Sequence, residues 1–256
     1  MNHLPVPKLM KWKYSLDQHY SCPKKILVTS GCSFTASTLQ LDSAASWPGY
    51  VLDRCRLDHA IDLSYPGAGN AYIGDSILHF FSQISDNEID QYMVIIMWSG
   101  IDRKEEKIAG DNMPNINGIT YRCKETGTSI STLEKEERKK RALKSANKIL
   151  EVYEYLTKRK ISFAFSMYVN LLFAPYIPKR DATFEFDGYV TKQLFNTLQS
   201  LPWIPKEPLD FLYEFAFVNN FLDQGDHFHP PVECNLKWTD QVLLPNMSNQ
   251  GLITLL

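Results

Sequence analysis

One α/β domain, with helices on both faces of a parallel sheet of four to five strands, is the fold this sequence predicts, and three observations predict it. Apolar, β-rich runs at residues 26–29, 59–64, 92–98 and 161–168 alternate with helical segments. Such a β-α-β-α-β-α-β succession closes into a parallel sheet through right-handed crossovers. The run at 92–98, Tyr-Met-Val-Ile-Ile-Met-Trp, has no polar alternation, as a central strand buried on both faces requires. Finally, 256 residues with 44% hydrophobic and 22% charged content suffice for one sizeable core. The chain divides into an arm, 1–24, and a single domain, 25–256, with excursions at about 104–131 and 171–222.

Each element has its own signal. The arm carries Pro5, Pro7 and Pro23 and no periodicity, so it reads as laid over the domain, with Trp12 and Tyr14 docking it. The strand at 26–29 is bounded by lysines before it and Gly31 after it. Ser46, as a hydroxyl cap with Pro48 two residues on, opens a helix whose apolar positions are Tyr50, Val51, Leu52 and Leu57. The strand at 59–64 runs into the turn Tyr65-Pro66-Gly67-Ala68-Gly69-Asn70, and a helix follows over 71–85 with Ile73, Ile77, Leu78 and Phe81 at helical spacing. After Trp98 come Ser99-Gly100-Ile101-Asp102-Arg103, then a polar stretch with weak strand signals at 116–122 that we place over the mouth of the sheet.

The longest helix covers 133–159, with a core stripe of Leu143, Ala146, Leu150, Tyr153 and Leu156. The dense charges of 134–144, mixed in sign, read as its solvated face. Prolines break the stretch 170–220, which leaves helices at 190–201 and 209–219. A closing helix over 230–244 begins with prolines in its first turn.

Composition excludes several function classes. Net charge is −2 and no basic stripe with interleaved aromatics is visible, which argues against a nucleic-acid partner. No run of about 18 apolar residues exists, and the first residues lack a charged-then-apolar leader, so the expectation is a soluble chain kept in a cytoplasm, with no membrane partner. Cys22, Cys32, Cys55, Cys123 and Cys234 are odd in number and never spaced Cys-x-x-Cys. That pattern supports neither a disulfide framework nor a zinc site and leaves them as reduced packing residues.

The chemistry-bearing stretch is 25–35, where an apolar strand stops at Gly31 and delivers Ser33. A serine hydroxyl needs a base to take its proton, ideally a histidine oriented by a carboxylate. Asp226-His227-Phe228-His229-Pro230 supplies both near the other end of the chain. An aspartate three residues before a histidine can meet its Nδ1–H in one tight turn and leave Nε2 for the serine. A metal at His227 and His229 would need further carboxylate or thiol ligands, and no cluster in the sequence supplies them. In open parallel sheets ligands sit beyond the carboxyl ends of the strands, where Ser33, Gly69 with Asn70, and Ser99 to Arg103 fall.

Gly-x-Ser after the first strand, with Asp-x-x-His-Pro late in the chain, resembles the SGNH (GDSL-like) hydrolase family. Gly-Cys-Ser-Phe-Thr, Gly-x-Gly-Asn and Trp-Ser-Gly-x-x-Arg are similar to divergent SGNH-like proteins of bacterial and tailed-phage genomes, and the likeness covers about 25–103 and 223–244. It implies a flavodoxin-like three-layer α/β/α sandwich and a serine esterase without cofactor or metal. The implied substrate is a small ester or acylated carbohydrate, O-acetyl groups foremost. The implied roles are Ser33 as nucleophile, His229 as general base and Asp226 as orienting acid. The implied oxyanion hole takes the N–H groups of Ser33 and Gly69, whereas Ile101 stands where the family has an asparagine side chain. One lost donor costs about 2.7–4 kcal/mol, so Asn70 or the Ser99 hydroxyl is the expected substitute. Arg103 is either a contact for an anionic part of the substrate or a structural ion pair. Cys32 replaces the family's aspartate. As a rival nucleophile it lacks a basic neighbour, and its side chain should point away from that of Ser33, toward the core. The alternative function is a non-catalytic SGNH-fold binding or structural protein, such as a virion or accessory component.

Overall fold

The computed structural model describes residues 8–9, 20–36, 46–101, 104–108, 115–116, 119–124, 135–173, 186, 188–221 and 230–256. The chain runs β1 (Lys8–Leu9), β2 (Tyr20–Ser21), β3 (Ile26–Ser30), α1 (Trp47–Arg54), β4 (His59–Asp62), α2 (Asn70–Ser82) and β5 (Tyr92–Trp98). An excursion of β6 (Lys104–Ile108), β7 (Asn115–Ile116) and β8 (Ile119–Lys124) precedes α3 (Lys135–Lys158) and β9 (Ser162–Met167). Then come α4 (Lys192–Gln199), α5 (Leu212–Val218), α6 (Val232–Trp238), a π turn (Thr239–Leu243), α7 (Leu244–Asn249) and β10 (Thr254–Leu255).

The main sheet has the order β1-β4-β3-β5-β9. Its last four strands are parallel, and β1 adds to β4 antiparallel at the edge, so the arm contributes a rung of the sheet. Beyond β9, Phe165 donates its N–H to Pro202 O (3.0 Å) and accepts that of Ile204 (2.7 Å), so Trp203 forms a one-residue parallel bridge. Because β4 lies on one side of β3 while β5 and β9 lie on the other, right-handed crossovers put α1 on one face and α2 and α3 on the opposite face. The contacts agree. Ser30 Oγ donates to Ile73 O (3.2 Å), Phe80 and Phe81 pack on Tyr92, and Tyr153 packs on Phe163, and the register sets all these strand residues on one face. With α1 packed on β3, β4 and α6 across the sheet, Met93 to Trp98 have no exposed surface, as their unbroken apolar run requires.

The helices depart from the sequence reading in informative ways. The buried stripe of α3 is Ala142, Ser145, Ala146, Ile149, Val152 and Leu156, one position round from the expected stripe, and Leu143, Leu150 and Tyr153 are half-buried. The crossing with α2 is close, since at Gly74 an added Cβ would lie 2.5 Å from Lys148 Cδ. Across that crossing Lys148 Nζ reaches Asp75 Oδ1 at 2.6 Å. Helix α1 stops at Arg54, and Leu57 is buried from outside it because Arg56 takes φ 49°. Ser46 does occupy the cap position, but its side chain makes no cap hydrogen bond. The bond to Gly49 N–H (3.0 Å) comes from the Ser46 backbone carbonyl instead. The closing helix starts after Pro231 and opens into the π turn ahead of Pro245, which has no N–H to continue the ladder.

The 104–131 excursion contains a three-stranded antiparallel sheet, β6-β8-β7, of which the sequence signalled β8 and missed β6. β2 pairs antiparallel with β10, joining the segment just before β3 to the last strand of the chain. Among the described residues, no helix is long and apolar enough to cross a membrane.

Candidate active site

Strand β3 ends at Ser30, and the chain turns sharply, with the N–H groups of Thr35 (3.0 Å) and Ala36 (2.9 Å) both donating to Cys32 O. Gly31 makes the turn feasible: a Cβ there would fall 2.2 Å from Thr35 Oγ1 and 3.1 Å from Met97 O. Glycine is required by that close approach, since the backbone of β5 cannot give way. Cys32 is fully buried in the core, as its place on the turn led us to expect, and Ser33 retains 7% of its surface. Phe34 stacks on Tyr168 at the end of β9 (4.5 Å between ring centroids), fixing the far side of the turn.

The second block lies at the start of α2. Gly69 takes the cap position, and Asn70 is the first helical residue, so Asn70 does not serve as the N-cap. Its side chain has another task. Strand β5 outruns β3, which leaves the N–H and C=O of Ser99 facing the side where β3 has ended. The Asn70 carboxamide closes both, Oδ1 accepting from Ser99 N–H at 2.8 Å and Nδ2 donating to Ser99 O at 2.9 Å. An amide side chain matches the donor and acceptor of a peptide unit, and here it replaces one more residue of strand. One Nδ2 proton remains beyond this pair. The N-terminal end of a 13-residue helix therefore stands at the same sheet edge as Ser33, and its aligned dipoles favour negative charge there.

The described residues thus bring Ser33, Gly69, Asn70 and Ser99 to the carboxyl edge of adjacent elements, the crevice where the chain switches from β4 on one side of β3 to β5 on the other. Ile101 is buried at 1% exposure and packs in the core. Arg103, Asp226, His227 and His229 lie outside the described residues, as do Trp12 and Tyr14. The Asn70 clamp escaped sequence reasoning, because its partner is a backbone 29 residues away and carries no side-chain signature. Glu214 escaped it too. It is a buried carboxylate on α5 that accepts the N–H of Asn170 (3.0 Å), and the neighbouring Tyr213 N–H donates to Tyr168 O (2.8 Å), so α5 braces the end of β9.

Cys22, Cys32, Cys55 and Cys234 are free thiols. Burial pushes Cys234 up to about 12 and raises Cys55 further, and it also raises Cys22 against the nearby Lys24. These three thiols therefore stay protonated at neutral pH, as packing groups rather than nucleophiles. Among the described residues, no three His, Cys, Asp or Glu side chains gather as a metal site would need. Compared with family models and with curated proteins, the sequence matches none.

Proposed function

We propose that this chain is a serine ester hydrolase of the SGNH type, built on a flavodoxin-like three-layer sandwich. In this reading Ser33 Oγ attacks the ester carbonyl while His229 Nε2 takes its proton and Asp226 holds the imidazolium. The N–H groups of Ser33 and Gly69 and the start of α2 stabilise the oxyanion. The protonated His229 then returns its proton to the leaving alcohol, and water, activated by the same base, releases the acid. Asn70, held in place by Ser99, completes the oxyanion wall, Arg103 meets an anionic part of the substrate, and an O-acetylated carbohydrate is the substrate class. The observation that carries the reading is Ser33 on a glycine-dependent turn at the end of the central strand, level with Gly69 and the Asn70–Ser99 pair.

A second reading, a non-catalytic binding or structural protein on the same fold, is favoured by the buried Ile101 where the family has a polar donor. Hydrolysis of p-nitrophenyl acetate by the wild type and Ser33→Ala decides between them. Esterase action predicts a loss of several orders of magnitude in the variant. Equal rates would leave the second reading.

A further inference from the structure

Ser33 and Phe34 are the two middle residues of the turn that Cys32 O closes by accepting from Thr35 N–H (3.0 Å) and Ala36 N–H (2.9 Å). On the β4 side the turn is tied by Tyr65 N–H, which donates to Gly31 O (3.1 Å). On the β5 side the tie is a pair of rings. Phe34 stacks on Tyr168, with centroids 4.5 Å apart and planes 21° from parallel. Tyr168 follows the last residue of β9, and the order β3-β5-β9 sets that strand two places from β3. Neighbouring strands lie about 4.8 Å apart, so the two rings bridge a gap of about 10 Å across the end of β5.

Tyr168 is itself held through both of its backbone polar groups. Its N–H donates to Trp98 O (3.3 Å), its C=O accepts from Tyr213 N–H of α5 (2.8 Å), and two residues on Asn170 N–H donates to the buried Glu214 carboxylate, also of α5 (3.0 Å). The ring is therefore presented from a backbone that β5 and α5 both fix. Ser33, Phe34 and Tyr168 keep 7%, 8% and 7% of their surface, so the stack lies at the same rim as the serine rather than deep in the core. We propose that Tyr168 is a positioning residue for Ser33: its ring, through Phe34, holds the serine hydroxyl in the orientation that attack requires. This role rests on Ser33 being the nucleophile, and it adds the end of β9 to a site otherwise built from the ends of β3, β4 and β5. Without the ring the far side of the turn loses the stack, and a misplacement of about 1 Å at a reacting atom costs about a hundredfold in rate.

Tyr168→Leu and Phe34→Leu each remove one ring of the stack, and Tyr168→Phe keeps it. With p-nitrophenyl acetate, well below every melting midpoint, both leucine variants should lose about ten- to a hundredfold in kcat at nearly constant KM, with the pH profile of kcat unshifted. Tyr168→Phe should turn over at the wild-type rate. The double leucine variant should be no slower than the slower single one, because either substitution already breaks the one contact. A merely structural stack predicts lower midpoints with kcat unchanged, and that result, or losses that multiply in the double variant, would overturn the proposal. Should Tyr168→Leu fail to fold, Phe34→Leu carries the same test from the other ring. Ser33→Ala in the same assay separates this role from the reading beneath it. Equal rates for wild type and Ser33→Ala would overturn both, whereas a wild type far faster than Ser33→Ala, with leucine variants equal to wild type, would overturn the positioning role alone.

Discussion

Replacing Asn70 with alanine removes both hydrogen bonds that close the end of β5, at 2.8 and 2.9 Å, and strands the N–H and C=O of a fully buried Ser99. Each stranded group costs about 1–3 kcal/mol, so the pair costs about 2–6 kcal/mol. In a domain of this size each kcal/mol moves the melting midpoint by about 2–4 °C, which sets the expected drop near 10 °C. A helix cap would be worth only about 1 kcal/mol, and Gly69 already holds that position. Asn70→Asp refines the test. The carboxylate still accepts from Ser99 N–H but sets an oxygen against Ser99 O, so the shape survives and the donor is lost. Thermal unfolding by circular dichroism is the assay, and an Asn70→Ala midpoint within about 2 °C of wild type would refute the clamp, since it falls below the smallest expected loss. Ester turnover measured well below both midpoints asks the separate catalytic question. A hundredfold fall at constant KM would identify the remaining Nδ2 proton as an oxyanion donor.

Two glycines should respond unequally to the same substitution. Gly31→Ala drives a methyl group to 2.2 Å from Thr35 Oγ1 and 3.1 Å from the backbone of Met97, and should lower the midpoint by more than 5 °C, or roughly 2 kcal/mol. Gly74→Ala meets the flexible stem of Lys148 at 2.5 Å, which can swing aside, and gains helix propensity, so its loss should be smaller; the reverse order of midpoints would contradict this account. Lys148 predicts a pH dependence. Burial lowers its pKa, but the hydrogen bonds and charges of Asp75 and Glu151 prevail and raise it above the ordinary lysine value. Its contribution is therefore fully present below about pH 10.4 and is lost as pH climbs through the raised folded value. Urea unfolding between pH 9 and 11.5 should show a steeper alkaline loss for wild type than for Lys148→Met, and parallel profiles would remove Lys148 from the explanation.

Much of the framework was legible in the residues because it depends on local pattern. The uninterrupted run at 92–98 matched β5 to the residue, since burial on both faces leaves no room for a polar position. The punctuation by Gly31, Gly69 and the prolines located the sheet's carboxyl edge, because backbone constraints there do not depend on what lies across the fold. The stripe of α3 was displaced by one position, because the expected and the buried stripes share Ala146 and Leu156, so periodicity alone does not choose between them. Strand β6, Lys-Glu-Glu-Lys-Ile, was missed because charge hides its period; its partner β8 gives it a reason to be extended.

At the candidate site the division is the same. The sequence by itself determined that a serine follows the first central strand on a glycine-dependent turn, that glycine and asparagine follow the second, and that a buried strand carries Ser99 beside them. Chain order and residue type suffice for that, since a parallel sheet sends every strand end to one edge. Only the tertiary structure decided what those groups do there. Asn70 is neither cap nor free side chain but a substitute for missing strand, because β3 stops short of β5 and a buried peptide group must find a partner wherever the fold offers one.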